Sequence, residues 1–189
     1  MTKAITHTPP ALITACVASI RGRQDGDISV CHARTTDARI AITFSGVLMV
    51  IYSCQAAQGL LEAFAAAGGH LSTVPRELPP PRDTLADNDT RFALSIEWTR
   101  RPQYAVAPQS ARNKLNTGQI HWINLYTGPI TWQIRDQSAL LSTVALLNRV
   151  HQTAIAVFPD GQEYAADPTS PDYRPNPAPR PDTARQRRR

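Results

Sequence analysis

One pattern occurs twice along the 189-residue chain, and this internal repeat constrains the fold more than any other feature. The segments "FSGVLMVIYSCQAAQGLLEAF" (44–64) and "YTGPITWQIRDQSALLSTVALL" (126–147) lie 82 residues apart. Each places a glycine turn before a short strand, then a helix-capping residue (Ser53 or Asp136), then an apolar stripe at helical spacing. The repeat predicts that the chain is an internal duplication.

The likeness continues upstream with a smaller offset. The segment "SIRGRQDGDISVCHAR" (19–34) corresponds to "SIEWTRRPQYAVAPQS" (95–110), 76 residues later, and each is typical of a strand, a polar turn and a strand. We assign the six-residue difference between the offsets of 82 and 76 to the loop between the second and third strands, because loops tolerate insertions. The sequence therefore predicts an α+β fold of two tandem β-β-β-β-α units, each an antiparallel meander plus a helix, packed as an internal pseudo-dimer.

Proline content and apolar periodicity divide the chain into six predicted segments. Prolines are concentrated between and after the two units, and beyond residue 168 proline, arginine and polar residues dominate without an apolar period. The predicted segments are a flexible N-terminus (1–10), the first unit (11–70), a Pro-rich linker (71–90), the second unit (91–153), a short hairpin (154–167) and a disordered basic tail (168–189).

The two predicted units differ in charge and in aromatic content. Residues 91–135 hold six basic residues and one acid, whereas residues 11–53 hold four basic residues and three acids. All three tryptophans, Trp98, Trp122 and Trp132, lie in the basic segment. Basic side chains interleaved with aromatic rings are typical of grooves that bind single-stranded nucleic acid, where cations contact phosphates and rings stack on bases.

A two-residue turn at 127–128 divides the side chains of the second unit between two faces. It pairs Leu125 with Ile130 and Ile123 with Trp132 on a core face. The opposite face then carries Trp122, Asn124, Thr131, Gln133 and Arg135. The predicted nucleic-acid-binding residues are Trp122, Asn124, Gln133 and Arg135 on this face, with Arg100, Arg101, Arg112 and Lys114 as phosphate contacts.

An alternative interpretation is a protein-interaction module without a role in nucleic-acid binding. The exposed sheet face or the Pro-rich tail would then dock a protein partner, or a second copy of the chain would form a homo-oligomer. The excess of arginine over lysine does not separate these interpretations, because composition does not show where the charges lie.

The sequence lacks the signatures of common catalytic and metal sites. No nucleophile elbow, P-loop, dinucleotide-binding or zinc-protease motif occurs, and the five histidines are scattered. Cys16, Cys31 and Cys54 are odd in number and show no C-x-x-C spacing, which indicates free thiols in a reducing cytoplasm. We expect no catalytic residues, no metal and no cofactor, and no membrane partner, because the longest apolar run is too short to span a bilayer.

Two resemblances accompany this interpretation. The tandem β-β-β-β-α arrangement resembles the Whirly, PUR-repeat and PC4 single-strand-binding proteins in topology. The segment "HWINLYTGPITWQIRDQSALLSTVALLNRV" is similar to a tandem domain of unknown function from actinobacterial and mobile-element proteins, with Trp122, Trp132 and Asp136 at matching places. The first half lacks both tryptophans. The topological resemblance implies single-strand binding, and the local one implies no activity.

Overall fold

The computed structural model describes residues 15–44, 46–79, 94–128 and 130–175. It is an α+β fold of eight strands and two α-helices within these ranges. The strands are β1 (Cys16–Ile20), β2 (Asp27–Cys31), β3 (Arg39–Phe44), β4 (Val47–Ile51), β5 (Leu94–Trp98), β6 (Tyr104–Arg112), β7 (Gln119–Thr127) and β8 (Ile130–Ile134). The helices are α1 (Cys54–Ala67), which continues into a 3-10 helix at Gly68–Thr73, and α2 (Gln137–Val157).

The strands form two four-stranded sheets that exchange one strand each. Sheet I has the order β1-β8-β7-β6, and sheet II has the order β2-β3-β4-β5. The exchanged strands pair in parallel, β1 with β8 and β5 with β4, whereas the other neighbours are antiparallel. The predicted four-strand meander is therefore wrong, because each meander has three strands and the first strand of each half joins the sheet of the other half.

Equivalent hydrogen bonds hold the two exchanged strands. The amide of Tyr52 donates to the carbonyl of Trp98 at 3.0 Å, and the amide of Arg135 donates to the carbonyl of Ile20 at 2.9 Å. The helices also begin alike, since the side chains of Ser53 and Asp136 accept from the amides of Ala56 and Ala139. These contacts relate residues 52 and 53 to residues 135 and 136, which is an offset of 83 rather than the predicted 82.

The corrected offset comes from the turns. The register pairs Phe44 with Val47 and Thr127 with Ile130, so the second turn is 128–129 rather than the predicted 127–128. The left-handed glycine is the second turn residue in one hairpin (Gly46, φ 77°) and the first in the other (Gly128, φ 66°). Aligning the two glycines by sequence therefore misaligned the repeats by one residue.

The extra residues of the second half lengthen a hairpin rather than a loop. Cys31 pairs with Arg39 in the first half, and the equivalent pair in the second half is Gln109 with Trp122. The chain between the two partners has 7 residues in the first half and 12 in the second. In the longer hairpin, three further pairs continue the ladder to Arg112–Gln119. We call residues 110–121 the β-arm. The predicted insertion in the loop between the second and third strands is wrong, because the longer segment adds three strand pairs and its unpaired turn, 113–118, is no longer than the unpaired residues 32–38 of the first half.

The core lies on the inner faces of both sheets and between the helices. The predicted core side chains Ile123, Leu125, Ile130 and Trp132 are all buried, which confirms their assignment. Trp132 stacks on Phe44 with ring centroids 5.6 Å apart, so it joins the cores of the two sheets. Helices α1 and α2 pack on each other, and α1 also contacts β6 and β7 of sheet I.

One buried carboxylate connects three segments of the chain. Asp136, which is fully buried, accepts hydrogen bonds from the amides of Gly22 (2.8 Å), Leu78 (3.1 Å) and Ala139 (2.8 Å). These donors belong to the connection after β1, to the segment after the 3-10 helix and to the first turn of α2. Asp136 therefore caps α2 and also fixes two connections that are distant in sequence.

The C-terminal part of the described chain differs from its prediction. No hairpin forms at 154–167: α2 continues to Val157, and turns follow. The carbonyl of Tyr164 accepts from His151 at 2.7 Å and from Gln58 at 3.1 Å, which fastens these turns to both helices. Residues 168–175, predicted to be disordered, form turns in which the Tyr173 hydroxyl contacts Glu62 at 2.7 Å.

Three of the predicted segments lie wholly or mostly beyond the described ranges. The flexible N-terminus at 1–10, most of the linker at 71–90 and the tail from residue 176 onward lie outside the described residues. In the part that is described, neither helix has the length and apolar character needed to cross a bilayer.

Candidate nucleic-acid interface

The outer face of sheet I carries an aromatic and amide surface without acidic side chains. The strand registers align Gln109 with Trp122, align Ala107 with Asn124, Gln133 and Ser19, and align Ala105 with Tyr126, Thr131 and Val17. None of these outward residues is acidic. We call Trp122, Asn124, Tyr126, Gln133 and Arg135 the aromatic face.

The correct register preserves the predicted face despite the wrong turn. Leu125 lies opposite Trp132 rather than Ile130, which is a slide of two residues along the partner strand. Because side chains alternate with a period of two, such a slide leaves every residue on its predicted side. Trp122, Asn124, Gln133 and Arg135 therefore share one surface, and each is half-buried.

A chain of hydrogen bonds fixes the two rings of the aromatic face. The Nε1 of Trp122 donates to the Oδ1 of Asn124 at 2.9 Å, and the Nδ2 of Asn124 donates to the Tyr126 hydroxyl at 3.1 Å. Both ends of the Asn124 amide are thereby engaged within the protein. Asn124 acts as a positioning residue for the rings.

Arg135 covers one side of the tryptophan ring. Its guanidinium carbon lies 5.2 Å from the centroid of Trp122, within the range of a cation–π interaction. The ion pairs of the described residues do not include Arg135. The guanidinium is thus held in place by a ring rather than a carboxylate, and its positive charge and N–H donors remain available to an anion.

The outer face of sheet II provides an internal comparison. Its registers place Asp27 beside Thr43 and Leu48, and Ser29 beside Ala41, Val50 and Glu97. The Tyr52 hydroxyl lies 3.4 Å from the Glu97 carboxylate. Two carboxylates and aliphatic side chains thus occupy the surface equivalent to the aromatic face, and this composition does not favour an anionic ligand. The first half also exposes a sheet face, since Tyr52 and Thr43 are exposed, so an open sheet face does not distinguish the two halves.

The predicted phosphate contacts occupy two other places. Arg112 and Lys114 belong to the β-arm, where the Nη1 of Arg112 donates to the Oδ1 of Asn116 at 3.1 Å and Lys114 is exposed. Arg100 is exposed in the connection between β5 and β6. The β-arm continues directly from Gln109 and Trp122, so Arg112 and Lys114 lie beyond one end of the aromatic face, and alternation along β6 puts Arg112 on the side of the ribbon opposite to Gln109.

Arg101 is separated from this surface by an ion pair. Its guanidinium contacts the carboxylate of Glu62 on α1, which packs on the inner side of sheet I. The hydroxyls of Tyr104 and Tyr173 also donate to Glu62, at 3.1 Å and 2.7 Å. The charge of Arg101 is thus balanced on the helix side, and we leave Arg101 out of the proposed surface.

The Glu62 cluster predicts a loss of stability in alkaline solution. Burial, together with the hydrogen bond to Glu62, raises the pKa of Tyr173 from 10.0 to about 12. Because the folded state then holds this proton more tightly than the unfolded state, the stabilisation is complete below pH 10 and is lost as pH rises through this window. Between pH 10 and pH 12, we expect the difference in free energy of unfolding between the wild type and Tyr173→Phe to decrease by about 1 kcal/mol. The decrease is this small because Tyr173 is partly exposed and solvent screens the interaction.

Urea unfolding of both proteins across this window checks the expectation. Tyr173→Phe keeps the ring and lacks the titrating proton, so the difference between the two free energies of unfolding isolates Tyr173 from Cys54 and Tyr104, whose pKa values burial also raises. A difference that stays constant from pH 9 to pH 12 would contradict it.

Sequence reasoning missed Tyr126 of the aromatic face and Glu62, the ion-pair partner of Arg101. Tyr126 continues the alternation of Trp122 and Asn124 along β7, so its outward position was available from the same period-two argument. Glu62 lies 39 residues from Arg101 on a helix face that includes apolar residues, and no local pattern pairs them.

Comparisons with known protein families, with curated proteins and with solved structures find no match to this chain. Among the described residues, no group of three His, Cys, Asp or Glu side chains is placed to hold a metal ion.

Proposed function

We propose that this protein is a non-catalytic, cytoplasmic binder of single-stranded nucleic acid, and that the aromatic face is its binding surface. The observation that carries the proposal is a sheet face without acidic side chains. On this face Asn124 is hydrogen-bonded to both Trp122 and Tyr126, and the guanidinium of Arg135 lies over the ring of Trp122. Fixed rings stack on bases of any sequence, and unpaired cations contact phosphates.

Each residue of the aromatic face has a distinct part in the proposed complex. Trp122 and Tyr126 stack on bases, and Asn124 keeps their rings in place. Gln133 lies beside Asn124 in the register, and its amide supplies donors and an acceptor for a base edge. Arg135, with Arg100, Arg112 and Lys114, contacts the backbone phosphates.

We also propose that the chain is an internal pseudo-dimer of two related units that exchange their first strands. The equivalent hydrogen bonds of Tyr52 and Arg135 support this relation, as do the equivalent capping residues Ser53 and Asp136. In this view the two sheets derive from one ancestral sheet. Sheet I then acquired the rings and sheet II the carboxylates.

The salt dependence of oligonucleotide binding tests the proposed function. Four cations outside the Glu62 ion pair contact phosphate in the proposal: Arg100, Arg112, Lys114 and Arg135. For single strands, the slope of log K against log salt is about −0.7 per phosphate contact, so we expect a slope of about −3. Titration of a labelled single-stranded oligonucleotide at several salt concentrations measures it.

Two comparisons sharpen this titration. A variant that ends at Pro175 lacks the arginine-rich residues 176–189. A less negative slope for this variant than for the full-length protein reports phosphate contacts made by those residues. Lack of oligonucleotide binding at low salt by the folded full-length protein would overturn the proposed function. The protein-interaction module, in which this face or the tail docks a protein partner, would then be the remaining interpretation.

A further inference from the structure

The β-arm presents the most exposed large hydrophobic side chain among those described. Leu115 at its tip is 80% exposed, compared with 60% for Val17 and 56% for Leu141. A single exposed leucine is common on protein surfaces. Leu115, however, follows Lys114 directly and lies in the same arm as Arg112, so an apolar tip is combined with two cations.

Hydrogen bonds hold the tip in one conformation. The Asn113 amide donates to the Gly118 carbonyl at 2.9 Å, and the Thr117 amide donates to the Asn113 side chain at 2.8 Å. The Asn113 side chain in turn donates to the Thr117 hydroxyl at 2.9 Å, and Asn116 adopts a left-handed conformation with φ 57°. The tip is therefore a closed turn, although most of its residues are exposed.

The arm lies at one end of the aromatic face. Its strands are the continuation of β6 and β7, and Trp122 is three residues from Gln119 at the last pair of the ladder. At the rise of an extended strand, this separation is about 10 Å. The 3-10 helix packs against β7, and residues 72–75 line a cleft together with Gln119, Ile120 and His121 of the arm. A nucleic-acid single strand bound along the aromatic face would therefore contact the β-arm at the end of the face that carries Trp122.

We propose that the β-arm is a wedge that recognises the junction between a single strand and a duplex. The single strand lies on the aromatic face, Leu115 packs against the terminal base pair, and Arg112 and Lys114 contact the phosphates beside it. Apolar side chains on basic elements insert between base steps and partly unstack them in this way. The inference rests on the proposed function and names the form of nucleic acid that the surface takes.

Binding to three probes tests the wedge. The probes are a single strand, a hairpin duplex that carries the same single strand as an overhang, and a blunt duplex, each made in DNA and in RNA. We expect wild-type protein to bind the overhang probe about tenfold more tightly than the single strand, the gain expected from burying one leucine. Leu115→Ala should lose this preference and keep the single-strand affinity.

A matched control exists on the other side of the molecule. Leu141→Ala removes an exposed leucine from α2, and we expect it to retain the wild-type preference. A fluorescent base analogue at the terminal pair of the overhang probe should brighten when wild-type protein binds, because unstacking relieves quenching, and should brighten less with Leu115→Ala.

Distinct outcomes overturn the wedge and the proposed function. Single-strand binding without any preference for the overhang probe, in DNA and in RNA alike, overturns the wedge alone. A preference that persists in Leu115→Ala, or that Leu141→Ala removes equally, also overturns it. Absence of single-strand binding overturns the proposed function itself.

Discussion

Replacing Asp136 with alanine is expected to destabilise the protein by about 3 kcal/mol, the largest effect predicted for a single side chain. The substitution leaves three amide donors, of Gly22, Leu78 and Ala139, without their carboxylate partner in a buried site. Hydrogen bonds to charged groups contribute about 1.5–3 kcal/mol each, and removal of the buried charge offsets part of their sum. Urea unfolding measures the change.

The equivalent capping residue of the other half provides the control. Ser53→Ala removes one cap from α1 and should cost about 1 kcal/mol, because Ser53 accepts one amide from its own helix. Asp136→Asn should fall between the two variants, since its amide nitrogen must face at least one N–H donor. If Asp136→Ala costs no more than Ser53→Ala, Asp136 is an ordinary helix cap rather than a connection between segments.

The repeat made the elements of this fold predictable but not their pairing. The turn, the strand and the capped helix follow from local patterns that occur twice, and both caps are confirmed at Ser53 and Asp136. The partner of β1 is decided by contacts with β8, more than one hundred residues away, and five residues of alternating sequence carry no information about it. For this reason the strand exchange became visible only in the structure.

The C-terminal error has a similar cause. The segment "AIAV" at 154–157 is short and apolar, and such a run does not distinguish a strand from the last turn of a helix. The helix prevails because Ala154 and Val157 are buried at helical spacing. In residues 168–175, the Tyr173 hydroxyl donates to Glu62, a pairing across 111 residues that composition cannot reveal.

The candidate surface was more accessible to sequence reasoning than the pairing of its strands. Alternation along β7 and β8 assigns Trp122 and Gln133 to the outside in either register. The chemical roles were less accessible, because the Asn124 amide is engaged by Trp122 and Tyr126 and the Arg101 charge is engaged by Glu62. Contacts between side chains, rather than positions on strands, separate positioning residues from those available to a ligand.

Replacing Trp122 with alanine is expected to weaken single-strand binding by about 1–3 kcal/mol, or roughly 5- to 150-fold, if its ring stacks on a base. The loss has two physical parts. The stacking surface disappears, and Arg135 loses the ring that holds its guanidinium 5.2 Å from the centroid. Trp122→Phe keeps a ring without the bond to Asn124 and should recover part of the affinity. Fluorescence anisotropy with a labelled oligonucleotide measures all three proteins.

Tyr52→Ala is the matched control, because Tyr52 is a partly exposed ring on the equivalent face of sheet II, beside the carboxylate of Glu97. We expect its affinity to equal that of the wild type. Trp122 is half-buried, so an unchanged urea midpoint is needed before a loss of affinity is assigned to the binding surface. A folded Trp122→Ala protein with wild-type affinity would exclude Trp122 from the interface, and an equal loss in Tyr52→Ala would show that binding is not confined to sheet I.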